Sequence, residues 1–324
     1  MKAARYSKYG SSDVVRITDV PIPVPSDNEV LIRVHATTVS SADARLRSMT
    51  LPRGFGLIGR LIFGITGPRQ PILGSEMSGT VTAIGAGVTR YAVGDPVIAF
   101  PGVKMRAHAE YRTMPQDGAI VAKPANLTFE QGAALAFGGT TALHYLRDKG
   151  QIKPGDRLLV LGGSGCVGSA AVQLGRAFGA HVTATTSARN ADLVRSLGAE
   201  RVIDYTMQDF TTEDIRYDLI LDTVGATTFA KVIPCLRSGG RFLMVLADLA
   251  QTLAALRKGP DGKRAMGGPA PERSADLAFL ADLAAGGEIL PVIDRVYPFD
   301  QIAAAHAHVD TGHKRGSVVV SLVD

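Results

Sequence analysis

The sequence predicts an α/β fold, with a β-rich first third followed by a doubly wound parallel sheet. Three observations carry this. Short β-branched runs recur between turn residues up to about residue 125. From about 126, helical stretches alternate with apolar strand-like runs, the pattern of a parallel sheet with crossover helices. Within that half lies Arg157-Leu-Leu-Val-Leu-Gly-Gly-Ser-Gly-Cys-Val-Gly168, an apolar run that breaks into glycines and leads into an amphipathic segment.

In this stretch Gly163, Gly165 and Gly168 hold the G-x-G-x-x-G spacing of a dinucleotide-binding turn. The first glycine permits the tight turn, the second lets backbone approach a pyrophosphate, and the third lets helix pack closely on strand. The helix start adds free N–H groups and a partial positive charge. Glycine loops are common, so the strand–turn–helix setting is what gives the motif weight.

In chain order, the early strands are expected at 14–17, 29–34, 79–84 and 95–100, with Pro21, Pro23 and Pro25 confining that segment to edges and turns. Helices are expected at 128–137 and 142–149. The parallel sheet then takes strands at 158–161, 181–185, 201–203, 218–222 and 241–246, separated by helices at 167–178, 191–197 and 228–236. Gly179 and Gly198 stand where helix C-caps belong. A Gly/Pro/basic loop (257–271), a helix (274–285), a strand (289–297), a helix (299–309) and a strand (316–322) complete the chain.

Composition narrows the function classes. The 35 basic residues are scattered among 30 acidic ones, for a net charge of +5, and no dense basic tract with interleaved aromatics suggests nucleic acid binding. Two cysteines, Cys166 and Cys235, are too few for a disulfide framework or structural zinc cluster, and a reducing cytoplasm is expected. The start, Met-Lys-Ala-Ala-Arg-Tyr, has no apolar leader core. The most apolar early window, 54–65, is too short to span a bilayer and contains Arg60, so no integral membrane segment is expected.

An NAD enzyme places a carboxylate about 20 residues past the first glycine, where it binds the ribose hydroxyl. Here the second strand ends Thr185-Thr-Ser-Ala-Arg-Asn190, which offers Ser187 and Arg189 instead. A carboxylate repels a 2′-phosphate, whereas a hydroxyl and a guanidinium bind it with charge-assisted hydrogen bonds. NADPH is therefore the expected cofactor. The competing reading makes Arg189 a solvated residue at a helix start.

Four segments carry a family resemblance. They are Gly74-Ser-Glu-Met-Ser-Gly79 with Val81, Gly85, Val88 and Gly94-Asp-Pro-Val97; Gly139-Thr-Thr-Ala142; the glycine turn; and Pro291-Val-Ile-Asp-Arg295 with Gly312-His-Lys-Arg-Gly316. With these the chain resembles, nearly end to end, the medium-chain dehydrogenase/reductase superfamily, and within it the zinc-free quinone oxidoreductase branch with its reticulon-interacting-protein-like members. The resemblance implies a Rossmann dinucleotide domain (126–289) inserted in a β-rich GroES-like catalytic domain (1–125 and 290–324), and a homodimer.

Zinc alcohol dehydrogenases of that superfamily place a cysteine ligand in the loop occupied here by Val39-Ser-Ser-Ala-Asp43, and a histidine where Ser75 stands. Serine is a poor zinc ligand beside thiolate or imidazole. The four-cysteine lobe is also missing, since 100–111 holds no cysteine. No metal site is expected, and His306, His308 and His313 are read as ordinary surface histidines. Without a Lewis acid to stabilise an alkoxide, hydride transfer to an easily reduced quinone or α,β-unsaturated carbonyl is the expected reaction. The alternatives are a zinc-independent alcohol/aldehyde oxidoreductase and an NADPH-binding protein with a structural or regulatory role.

By resemblance, Thr141 contacts the nicotinamide amide, Ser164, Gly165 and Val167 line the pyrophosphate, and Tyr205 helps hold the 2′-phosphate. Thr223 and Gly225 sit beside the cofactor, and His313 and Arg315 belong to a segment that reaches it. Two bland readings stay open: a packing role for Tyr205 and a solvated turn at 313–315. Ser41 and Asp43 occupy the loop near the nicotinamide and are the catalytic candidates, with Asp43 alternatively paired to Arg45 or Arg47. Cys166 reads as a small apolar residue packed beneath the turn. The stretch 45–69 is read as an irregular insertion, a lid over the substrate in preference to a dimer contact or a membrane-surface segment.

Overall fold

The protein, described over residues 1–322 in a computed structural model, separates into two compact units. The first comprises Met1–Leu51, Gly56–Phe137 and the chain from Glu272 onward; the second comprises Pro52–Phe55 and Gly138–Pro271. The boundaries therefore shift from 125/126 and 289/290. The helix after residue 128 starts in the β-rich unit, and the helix at 274–285 belongs to that unit as well.

The first unit opens with an antiparallel ribbon of β1 (Lys2–Arg5) and β2 (Arg16–Asp19). The strand expected at 14–17 begins two residues later, as β2 at Arg16, because Ser12–Val14 form a 3-10 turn. Next come β3 (Glu29–Val39), α1 (Ser41–Ser48), α2 (Gly56–Phe63), β4 (Met77–Ile84), β5 (Pro96–Ala99), β6 (Tyr111–Pro115) and β7 (Ile120–Ala122). The stretch 45–69, expected as irregular, holds the end of α1 and the whole of α2, so that about half of it is helical. α3 (Phe129–Leu143) joins the two expected helices and runs on into a π-helical turn at His144–Lys149.

The second unit holds β8 (Arg157–Leu161), α4 (Cys166–Ala177), β9 (His181–Thr186), α5 (Ala191–Ser196), β10 (Arg201–Asp204), β11 (Tyr217–Asp222), α6 (Phe229–Val232), β12 (Leu236–Met244), α7 (Leu249–Ala254) and β13 (Arg264–Met266). The helix expected at 228–236 is α6 and a 3-10 turn containing Pro234, whose ring cannot continue an α-helix. All six strands are parallel in the order β10-β9-β8-β11-β12-β13. Numbered within the unit, this is the 3-2-1-4-5-6 order of a doubly wound sheet. β8 is central and covered on both faces, which is why Leu158–Leu161 is uninterrupted apolar sequence. Gly175 brings α4 onto this strand: a Cβ there would come within 2.8 Å of Leu158. Gly179 (φ 74°) and Gly198 (φ 110°) follow the ends of α4 and α5 in the left-handed conformation expected of caps.

The chain then returns to the first unit with α8 (Ser274–Ala285), β14 (Ile293–Pro298), α9 (Ile302–Asp310) and β15 (Ser317–Ser321). The unit's main sheet runs β14-β15-β3-β4-β5-β7, with β6 also paired to β3. No helix among the described residues is long and apolar enough to cross a membrane.

Candidate active site

In the second unit the strand order reverses between β8 and β11, and the glycine turn leaves β8 at that point, where open α/β sheets bind ligands. The turn is pinned from β9: Gly163 N–H donates to the Thr185 carbonyl at 2.9 Å, and Gly162 N–H donates to the Thr185 hydroxyl at 3.2 Å. A Cβ on Gly168 would stand 2.0 Å from the Gly162 carbonyl oxygen, so only glycine fits there. Gly165 is the N-cap of α4 and brings no side-chain cap to it, and a Cβ on it would meet nothing nearer than 3.5 Å. This combination of a closed turn, an open second glycine and an uncapped helix start fits a pyrophosphate. Val167 and the third glycine follow inside the first turn of α4.

On the β11 side, Thr223 donates its hydroxyl to the Leu161 carbonyl at 2.8 Å, tying the two strand ends together. Asp222, which the sequence shows only as the polar end of a strand, organises the next turn. Its buried carboxylate accepts N–H bonds from Val224 (3.0 Å), Gly225 (2.8 Å) and Thr227 (3.1 Å). Burial raises its pKa while those N–H groups oppose the rise. Gly225 takes φ 73° in this turn.

The residues expected at the ribose end lie where β9 and β10 finish. Tyr205 N–H bonds to the Thr186 carbonyl at 3.3 Å, which sets Tyr205 beside the Ser187–Arg189 segment. Tyr205 is 63% exposed, so it does not pack in the core. Arg189 is exposed on a 3-10 turn. The Ser164 hydroxyl accepts from Thr186 Oγ1 (3.0 Å) and Asn190 Nδ2 (3.2 Å), which leaves its own proton directed elsewhere. Asn190, buried, also reaches the Ser187 hydroxyl at 3.4 Å. Sequence reasoning missed Thr186 and Asn190, whose only trace was polarity at the end of a strand. A Cβ on Gly138 of α3 would lie 2.7 Å from Cys166 Sγ, so that thiol packs against α3. Thr141, three residues further on, shares this face of α3.

The remaining candidates belong to the first unit. Ser40 caps α1 in a capping box with Asp43, whose Oδ2 accepts from Ser40 N–H (2.8 Å) and whose Oδ1 accepts from Gly74 N–H (3.0 Å). Asp43 therefore pairs with neither Arg45 nor Arg47. Arg47 is buried and holds both oxygens of Asp310 through Nη2, at 2.8 and 2.7 Å. Ser41 begins α1, half-buried. Ser75 has a buried hydroxyl with no hydrogen-bond partner among the described residues.

Beside Ser75, Glu76 is fully buried. It accepts from the Thr38 hydroxyl and, at 2.5 Å, from Phe137 N–H. Burial raises its pKa from 4.5 to about 7, opposed by those bonds and by the Lys314 charge.

The histidines are not the surface set expected. His306 is fully buried, edge-on to His108 at 5.5 Å between ring centroids, and neither of its ring nitrogens has a hydrogen-bond partner among the described residues. His308 bridges Asp294 and the Tyr297 hydroxyl, each at 2.9 Å. Only His313 is exposed, and Arg315 Nε reaches Asp294 at 3.4 Å. Among the described residues no group of three or more His, Cys, Asp or Glu side chains is arranged to hold a metal ion.

A β-rich unit joined to a doubly wound unit with a dinucleotide turn at its switch point defines the class of two-domain nicotinamide oxidoreductases. Residues 26–140 match the family model of the alcohol dehydrogenase GroES-like domain, and 197–320 match that of the zinc-binding dehydrogenases. The chain is similar to the mitochondrial NAD(P)H oxidoreductase RTN4IP1 of Mus musculus, at 32% identity over 100% of this chain and 89% of that one. It is 29% identical to the chloroplastic NADPH-dependent alkenal/one oxidoreductase of Arabidopsis thaliana, over 99% and 79% of the two chains. Among solved structures, the quinone oxidoreductase of Coxiella burnetii superposes with a TM-score of 0.87 at 29% identity, over 100% of this chain and 99% of that one. The protein belongs to the medium-chain dehydrogenase/reductase superfamily, in its quinone oxidoreductase-like branch, and is an oxidoreductase that uses a nicotinamide cofactor.

Proposed function

We propose that the protein is an NADPH-dependent reductase that transfers hydride to a quinone or an α,β-unsaturated carbonyl without zinc. One observation carries this reading: an intact dinucleotide turn coexists with a buried, unbonded Ser75 hydroxyl where zinc enzymes of the family hold a histidine. The bound cofactor supplies the hydride from its nicotinamide ring. In this proposal the Val167 amide and the Ser164 hydroxyl hold the pyrophosphate, and Gly165, whose own N–H is used on the Gly162 carbonyl at 3.1 Å, lets the backbone come close to it. Ser187, Arg189 and Tyr205 hold the 2′-phosphate, an arrangement supported by the tie between Tyr205 and Thr186. Thr141, Thr223 and Gly225 orient the nicotinamide. Ser41 is the proton donor we assign, and Asp43 positions it by capping α1. His313 and Arg315 enter on resemblance alone, and the contact between Arg315 and Asp294 favours a structural role there.

Reduction of such acceptors puts charge on a delocalised enolate or hydroquinone oxygen, so the protein need only orient the reactants and exclude water. A homodimer is proposed by family analogy. Cys166 and Cys235 are free thiols, which suits a reducing compartment, the cytoplasm or, as in the name of the mouse relative, a mitochondrion.

The test follows NADPH oxidation with quinones, enones, aldehydes and alcohols, with and without a chelator. Chelator-insensitive turnover of quinones or enones is expected. Turnover of aldehydes alone, or tight NADPH binding with every acceptor inert, overturns the reading in favour of one of the two alternatives.

A further inference from the structure

Helix α2 has two contrasting faces. Gly59 and Phe63, four residues apart, turn inward: a Cβ on Gly59 would stand 2.0 Å from the Leu51 side chain, and Phe63 packs on the cluster of Tyr6, Leu73 and Met105. On the other side Leu57, Ile58, Leu61, Ile62 and, just past the helix, Ile65 are each between 44% and 74% exposed. Their spacing gathers them into one apolar stripe. The segment is held firmly in place. Tyr9 donates its hydroxyl to the Gly64 carbonyl at 2.9 Å, Arg60 Nη1 donates to the Ile65 carbonyl at 3.0 Å, and Arg69 Nη1 donates to the Ile62 carbonyl at 3.2 Å. Those bonds fix two exposed guanidinium groups at the carboxyl end of the stripe.

Along this stretch of sequence the charge has a single sign: between Asp43 and Glu76 there are five arginines and no acidic residue. Of these, Arg47 is buried against Asp310, while Arg53, Arg60 and Arg69 are exposed. We propose that α2 docks the protein onto an anionic lipid surface. The apolar stripe enters the boundary between headgroups and acyl chains, while the arginines bind lipid phosphates through charge-assisted hydrogen bonds. A second copy on the same face would bring the exposed Arg60 and Arg69 against the same arginines of its partner. An eight-residue helix is also only about 12 Å long, little area for a stable protein interface. The docking is independent of which acceptor the enzyme reduces.

The test is co-sedimentation of the full chain with phosphatidylcholine vesicles, alone or carrying about 30% phosphatidylglycerol. Binding to the anionic vesicles at least about tenfold tighter than to the neutral ones, and weakening as salt is added, is expected. The double variant L61E/I62E should lose about tenfold or more of that binding while keeping NADPH affinity, which reports that it is folded. Leu57→Ser, a milder change on the same stripe, should weaken binding several-fold if the double variant does not fold. Equal binding to both vesicle types, or unaltered binding by folded L61E/I62E, overturns the proposal. So does a wild-type dimer that this variant converts to monomer by sedimentation velocity, which assigns the face to a second copy.

Discussion

Phe137 N–H and Glu76 Oε2 stand 2.5 Å apart, so the middle of α3 is tied to a carboxyl group with no access to water. Because burial raises the pKa of Glu76 from 4.5 to about 7, the folded state binds this proton more tightly than the unfolded chain does. Its contribution is complete below pH 4.5 and is lost as pH rises through about 7. Glu76→Gln imitates the neutral form, with its carbonyl toward Phe137 and its amide toward Thr38. From pH 5 to pH 8 the wild type should lose about 1–3 kcal/mol of stability relative to the variant in urea unfolding. Parallel profiles would show that Glu76 stays in one charge state.

Arg189 is exposed next to Ser187 and near Tyr205, and its role in the proposal depends on the 2′-phosphate. Arg189→Ala removes a charge-assisted bond of about 1.5–3 kcal/mol, so KM for NADPH should rise about tenfold or more, with KM for NADH nearly unchanged. Equal effects on the two cofactors would return Arg189 to the solvated reading.

Asp222 accepts three backbone N–H groups from the turn that carries Gly225. Asp222→Ala strands those donors and should cost about 2–4 kcal/mol in thermal or urea unfolding, with a marked loss of cofactor affinity. Asp222→Asn keeps one acceptor oxygen and should lie between. Wild-type affinity in a destabilised Ala variant would confine Asp222 to folding.

His306 titrates in the opposite sense. Burial, helped by the neighbouring His108 and Arg47, holds its pKa well below 6.5, so the unfolded chain binds the proton first. Stability is therefore intact above pH 6.5 and falls as pH drops below it. His306→Leu removes two nitrogens that have no partner among the described residues and should flatten this acid limb, at a cost below about 2 kcal/mol at pH 8. A steep acid limb persisting in the variant would place the titration elsewhere.

The doubly wound sheet was legible because each of its central strands is an apolar run bounded by glycines or polar turns, and because Gly163, Gly165 and Gly168 meet one steric demand at one spacing. Local chemistry of that kind is written in neighbouring residues. The helix α2 was not legible in the same way. Gly56-Leu-Ile-Gly-Arg-Leu-Ile-Phe63 carries an apolar stripe at helical spacing, and by periodicity alone that stripe would face the core, whereas the fold turns it outward. The side chains of Leu51 and Tyr6 settle which face is which.

The sequence alone determined the two-part organisation, the parallel sheet and the dinucleotide turn. These follow from residue type and short-range spacing. Only the tertiary structure decided that Asp43 caps α1 and bonds to Gly74, that Arg47 seeks Asp310, that Asp222 organises the turn at Gly225, and that His306 is buried. Most of these pairings join residues far apart in the chain. A buried polar group takes whatever partner packing brings to it, and the residue's own identity does not name that partner.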